Sequence, residues 1–410
     1  MARRVVITGL GLITPLGIGN KETWEGVCSG RSGIGPITRF DVSGHKTRIA
    51  GELKGFNAGD FMTEKEARRD DPFIHYAVAA TRLALEDSGI EVTDELSPRL
   101  GVIVASGIGG TITYCDMVRT LDKKGPSRVS PFFIPNVVTN MAAGYISIKF
   151  NARGPNCSTT TACAASGHSL SLAAMLIKNG DADAMIAGGS EAPLVSLTVA
   201  GFNVIKALST RNDEPEAASR PFDMDRDGFI LSEGAGIVIL EEFERAKARG
   251  ADIYAEVLGA GMSGDAHHIT APSLDGPVRC MRMALENSGL NPEDIDYINA
   301  HGTSTKLNDA NETAAVKEVF GERAHKIPVS STKSMTGHML GAAGTVEACL
   351  TALAIKNSVI PPTINQGTKD PECDLDYVPN EARGGKLKTA ISNTYGFGGT
   401  NSVIALGRVE

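Results

Sequence analysis

The 410-residue sequence has seven cysteines but no C-x-x-C pair, and it has no close cluster of histidine with cysteine. An odd count without paired spacing argues against a disulfide framework, and the missing ligand spacing argues against a zinc module. A reducing compartment fits this usage. No apolar run reaches the length of a signal peptide or a membrane span, and "MARRVVITGLG" passes almost directly into a strand pattern. The expectation is a cytoplasmic protein, or one in the matrix or stroma of an organelle after processing, with no membrane insertion. Positive charge is also short, with 40 Lys and Arg against 48 Asp and Glu and a formal net charge of -8. General nucleic-acid binding is thereby disfavoured, and an acidic partner needs a local basic face. Low-complexity tracts and flexible linkers are absent as well. At 42% hydrophobic and 21% charged, the chain can bury a large core or two fused ones.

What is present is alternation. Short apolar runs such as "RVVITGL", "RLGVIVASG", "ADAMIAGG", "GAGIVILEE" and "NSVIALG" recur between longer helical patterns, which predicts an α/β protein with buried strands. One stretch echoes another: "TRLALEDSGI" from Thr81 reappears as "MRMALENSGL" from Met281. A looser pair sets "TTTACAASG...LIKNG" beside "KSMTGHMLGAAG...AIKNS". The two pairs keep the same order, so we read a duplicated α/β unit with a boundary near Arg249 to Ile253. Residues 1–250 form the first half, and residues 251–410 the second. Cys163 and His338 then hold related positions, and helix starts in the two halves face one another across a pseudo-twofold axis.

Several patterns look functional and are better explained otherwise. "GLGLITPLG" follows a strand, but Thr14 stands where G-x-G-x-x-G needs glycine, so dinucleotide binding is disfavoured. "DMDRDGFILSE" imitates a calcium loop, yet the twelfth position is Gly234 and Glu233 is the eleventh, leaving a charged turn. Asp309 and Glu312 read as a helix start. His45, His75 and His325 read as surface histidines, while His168, His267 and His268 stay open. Cys157 reads as structural.

Chemistry concentrates in four stretches. "TACAASG" places Cys163 among small residues just before a helix-competent run, where unsatisfied amides and the macrodipole favour a thiolate. "NAHGTST" puts His301 at a strand end, where sheets of this class meet ligands. "SSTKSMTGHMLGAAG" carries Lys333 and His338 around a second small-residue helix start. "YGFGGTN" is a glycine-rich turn that lets backbone approach a ligand. A nucleophilic cysteine, two histidines and such a turn suit acyl transfer, and the second histidine favours stabilising a further charge such as an enolate.

Taken in order, these four motifs resemble the elongating 3-oxoacyl-[acyl-carrier-protein] synthases of dissociated fatty-acid synthesis, the type 2 group foremost, over essentially the whole chain. The resemblance implies a thiolase-like fold: two duplicated halves, each with a mixed five-stranded sheet, layered α-β-α-β-α. It implies a homodimer and a decarboxylating Claisen condensation between a Cys-bound acyl group and malonyl carrier protein, with no cofactor and no metal. By motif, Cys163 would be acylated, and His301 and His338 would support decarboxylation. Backbone N–H groups of Cys163 and Phe397 would form an oxyanion hole, and Phe397 would also gate the site. Lys333 would organise the His338 side, with Glu347 in a buried polar network behind it. Thr303 and Thr305 would bind the phosphopantetheine arm. Ile108, Phe202, Gly398, Gly399 and Phe133 from the dimer partner would contact the substrate.

The same resemblance gives "TEKEARRDD" a meaning, since Lys65, Arg68 and Arg69, extended by Arg128 and Lys206, would dock an acidic acyl carrier protein. Two departures stand out. Lys306 and Asn308 occupy a turn where the family has Pro and Gly, and Asn308 is expected to preserve it by tolerating a left-handed backbone. Ser232 replaces a common Gly in "ILSEGAG", which puts local packing in question. The alternatives are a polyketide ketosynthase, which would keep every catalytic residue, and a non-catalytic chain-length partner, which would lack Cys163. A Cys-His hydrolase, needing only one histidine, is more distant.

Overall fold

The computed structural model describes residues 3–409. Ten strands carry the architecture: β1 Val5–Thr14, β2 Leu100–Ala105, β3 Asn156–Cys157, β4 Ala184–Glu191, β5 Gly234–Glu242, β6 Ala255–Gly264, β7 Tyr297–Asn299, β8 Val329–Ser330, β9 Thr389–Gly396 and β10 Thr400–Gly407. They run β3-β2-β4-β5-β1 and then β6-β10-β9-β7-β8, so both sets of five share one internal order. Within each set the outer three strands are parallel and the inner connections antiparallel, which makes both sheets mixed. The sets meet only through Val6 opposite Glu256 and Ile7 opposite Ala255.

Every residue of β1, β2 and β4 is buried, as strands covered on both faces require. The covering helices are α1 Pro72–Ser88, α2 Met141–Lys149, α3 Ala165–Asn179, α4 Asp275–Ser288, α5 Lys306–Phe320 and α6 Ala343–Asn357. Helix α1 lies on β1 and β5, and α4 on β6 and β10, outside the sheets. Helices α3 and α6 pack together between them. This is the α-β-α-β-α layering of the thiolase-like fold.

The echoes occupy matching places. "TRLALEDSGI" ends α1 at Gly89 (φ 61°), and "MRMALENSGL" ends α4 at Gly289 (φ 66°), both in the left-handed conformation that glycine accepts without strain. Helices α3 and α6 are each 15 residues long, and each follows a one-turn 3₁₀ segment, Ala162–Ala164 and Leu340–Ala342. Cys163 lies in the first segment, and His338 two residues before the second.

The decoy motifs resolve into packing. A Cβ on Gly11 would sit 1.9 Å from the Ala80 carbonyl oxygen, so the glycines of "GLGLITPLG" let α1 press onto β1. Asp223 directs its carboxylate to the amides of Asp225, Gly367 and Thr368 and to Arg220. Glu233 departs from the charged-turn reading, because it is buried and pairs with Arg39 and the Tyr76 hydroxyl. His75 is likewise buried in α1 rather than on the surface, and burial holds its pKa down.

Candidate active site

Cys163 sits where the expectation put it, immediately before α3, but its electrostatics differ. Its neighbour Ala162 holds φ 50°, a positive angle that side chains avoid. Burial pushes the thiol up to about 12, outweighing the Lys333 charge that pulls it down; Glu191 pushes it further up, and the Phe397 amide pulls down. Burial thus works against the thiolate that a helix start favours.

The two histidines arrive from different elements. His301 follows β7, and Glu312 on α5 accepts its N–H and that of Gly302, each at 2.8 Å. His338 is held by its own backbone: its N–H donates to Ile230 O at 2.8 Å, and its carbonyl accepts from Ser232 N–H at 3.0 Å. The ring centroids of His301 and His338 lie 5.4 Å apart, nearly perpendicular, with Tyr395 5.6 Å from His301 and Phe229 5.2 Å from His338. Burial, and the Lys333 charge after it, hold both imidazoles well below the usual histidine range, so both are neutral. Each Nδ1 is buried without a partner. An orphaned acceptor costs less than an orphaned donor, which places the proton on Nε2 in each ring.

Lys333 lies behind this pair and is buried. Its Nζ donates to the His301 carbonyl at 2.7 Å and pairs with Glu347. Its ammonium thus holds the His301 side, its carbonyl accepts Gly337 N–H at 3.1 Å just before His338, and its charge acts on both rings. Glu347 and Glu312 are each pushed up to about 7, chiefly by burial. Asn393 adds a hydrogen bond to Glu312 at 3.1 Å.

Cys163, His301 and His338 line a single cavity of about 690 Å³. Ile108, Phe202, Thr303, Thr305, Phe397, Gly399 and Lys206 also line it. Gly398 stands beside it in the β9–β10 turn (φ 83°), its amide bound to Ile269 O at 2.7 Å. Phe397 lies half exposed, its ring centroid 6.5 Å from that of Phe202. Thr303 and Thr305 hydroxyls are 3.1 Å apart. Phe133 is not brought to the cavity by this chain and packs beside Tyr114 instead.

The basic positions are uneven. Lys65, Arg68, Arg128 and Lys206 are exposed. Arg69 donates from Nε and Nη2 to the two carboxylate oxygens of Asp70, at 2.6 and 2.8 Å, and stacks over Phe132 and Tyr145.

Three other expectations change. Helix α5 begins at Lys306, capped by Thr305, so Asp309 and Glu312 are buried inside it rather than starting it. Asn308 is helical, and Ser304 (φ 71°) takes the left-handed position. Ser232 fits: its hydroxyl donates to Thr336 O at 2.7 Å and Gly51 O at 3.1 Å, joining the His338 loop to its neighbour.

The chain matches the family descriptions "Beta-ketoacyl synthase, N-terminal domain" over residues 2–246 and "Beta-ketoacyl synthase, C-terminal domain" over residues 254–367. It belongs to the beta-ketoacyl synthases. Relatives named 3-oxoacyl-[acyl-carrier-protein] synthase 2 include one from Coxiella burnetii, 51% identical over 99% of both chains, and one from Staphylococcus aureus strain N315, 50% identical over 100% of this chain and 99% of the other. Among solved structures, this synthase resembles the ishigamide ketosynthase/chain length factor (TM-score 0.94, 38% identity, full coverage of both chains). It also resembles a type II PKS ketosynthase in complex with its acyl-carrier protein (TM-score 0.93, 37% identity, full coverage). No helix among the described residues of the synthase is long and apolar enough to cross a membrane.

Proposed function

We propose that this beta-ketoacyl synthase condenses a Cys163-bound acyl group with malonyl-acyl carrier protein, with loss of carbon dioxide, in fatty-acid elongation. The observation that carries the reading is the convergence of Cys163 from one half and His301 and His338 from the other on one cavity. In the first step the Cys163 sulfur attacks the acyl thioester carbonyl, and the amides of Cys163 and Phe397 receive the oxyanion. The carrier thiol leaves and takes the proton that Cys163 gives up. In the second step the malonyl carboxylate departs as carbon dioxide, and its bonding electrons pass into the thioester carbonyl. Neutral Nε2–H groups of His301 and His338 hold the resulting enolate oxygen. The enolate carbon then attacks the acyl-enzyme carbonyl, the C–S bond breaks with its electrons passing to the Cys163 sulfur, and the thiolate takes up one proton from solvent water.

Thr303 and Thr305, which line the cavity, suit the amides of a phosphopantetheine arm. Lys65, Arg68, Arg128 and Lys206 suit an acidic carrier surface, with Arg69 serving more through Asp70. A homodimer accounts for the exposed Ile134 and Ile148 and the free edge at β3, and it supplies the partner's Phe133 to the acyl pocket. The cytoplasm is the compartment we assign. Fatty-acid elongation is preferred over a polyketide pathway by the higher identity, 51% against 37–38%, and Cys163 argues against a chain-length partner.

The reading is tested with His301→Ala and His338→Ala. Each is expected to lose malonyl decarboxylation by a factor of about 100 or more while Cys163 still acquires an acyl group. Retained decarboxylation in both variants would overturn the assignment.

A further inference from the structure

Glu191, the last residue of β4, is fully buried and touches neither histidine, yet it joins two walls of the cavity. Its Oε1 accepts from the Ser106 hydroxyl at 2.8 Å and Ile108 N–H at 3.2 Å. Its Oε2 accepts from Gly107 N–H at 2.7 Å and Gly341 N–H at 2.9 Å. The Ser106 oxygen in turn accepts from Gly109 N–H at 3.0 Å, which fixes the direction of its hydroxyl proton. Four donors converge on two oxygens, an arrangement that a carboxylate accepts in full and a protonated carboxyl cannot.

The donors belong to opposite halves. Gly107 and Ile108 follow β2 and line the cavity, while Gly341 follows Leu340, which lines the cavity from the other side at a strained φ of 44°. The fit leaves no spare volume. A Cβ on Gly341 would lie 2.3 Å from Gly107 N and 2.7 Å from Glu191 Oε2, and one on Gly107 would lie 2.7 Å from the same oxygen. His338 is anchored separately, through Ile230 and Ser232.

We infer that Glu191 is a positioning residue for acyl-chain selection, clamping the Ile108 wall to the Leu340 wall so that the cavity keeps one width. The inference rests on the reading of this cavity as the acyl site of Cys163. Glu191→Gln keeps the shape but turns an N–H₂ toward amides that also donate, so the two walls separate. The test measures transfer of hexanoyl, decanoyl and hexadecanoyl groups from acyl carrier protein to Cys163 by intact-protein mass spectrometry, alongside malonyl decarboxylation. In Glu191→Gln the ratio between the best and worst acyl chain should contract by about fivefold or more, with decarboxylation changed less than about threefold. Ser106→Ala removes one donor to Glu191 together with the acceptor of Gly109 N–H and should contract the ratio by about twofold, which decides the matter if the first variant does not fold. An unchanged chain-length profile, or an equal fall in every step, overturns the role of Glu191. If the unsubstituted protein is acylated by none of the three, it is the acyl-site reading itself that fails.

Discussion

The Lys333–Glu347 pair offers the sharpest test of how the site is held. Both side chains are buried, and Lys333 has only Glu347 and the His301 carbonyl as hydrogen-bond acceptors. Glu347→Leu strands an ammonium beside one carbonyl, and breaking a buried pair in this way costs about 3–5 kcal/mol. Lys333→Met is expected to cost less, about 1–3 kcal/mol, because Glu347 already stands near 7 and takes up a proton when its partner is gone. The double variant, apolar on both sides and similar in volume, should recover to within about 1–2 kcal/mol of the parent. For 410 residues the unfolding entropy is about 0.9 kcal/mol/K, so Glu347→Leu should lower the thermal midpoint by about 4–6 °C and the double variant by about 1–2 °C. Activity should not follow stability. Every variant lacking Lys333 leaves the His301 carbonyl without its donor, so the double variant should be nearly as stable as the parent and still poor in malonyl decarboxylation. Calorimetry and a decarboxylation assay on all four proteins read both effects. Destabilisations that simply add, or activity that returns with stability, would refute the reasoning.

Two further expectations follow from charge. With the Cys163 thiol near 12, its alkylation by iodoacetamide should accelerate about tenfold per pH unit between pH 7 and 10, because the reactive thiolate fraction rises that way; a plateau at or below pH 8 would mean a depressed pKa. Arg68→Glu reverses an exposed charge and should raise KM for carrier-bound substrates several-fold while sparing short thiol analogues; equal effects on both would count against docking there.

How far the sequence could be read depended on whether a role lay within one stretch. Cys163, His301 and His338 each stand in a contiguous motif of small or polar residues, and repeated helix endings at Gly89 and Gly289 disclose the two halves. The roles of Glu312 and Glu191 are not legible because most of their partners are backbone amides, and an amide leaves no mark in the residue identity. The only trace of Glu191 was a carboxylate closing the apolar run of β4. The helix start at Cys163 is local and legible, whereas the burial that raises its pKa is set by the whole fold and leaves no mark in the motif. The reach of Lys333 is hidden for a similar reason: sequence puts it five residues from His338, but its ammonium also extends to the carbonyl of His301.

The central claim is that Cys163 carries the acyl group, and intact-protein mass spectrometry after incubation with acyl carrier proteins of several chain lengths tests it most directly. A single acyl adduct should form on the parent and vanish in Cys163→Ala, with Cys157 left unmodified. An adduct that persists in Cys163→Ala, or none with any acyl chain, would contradict it.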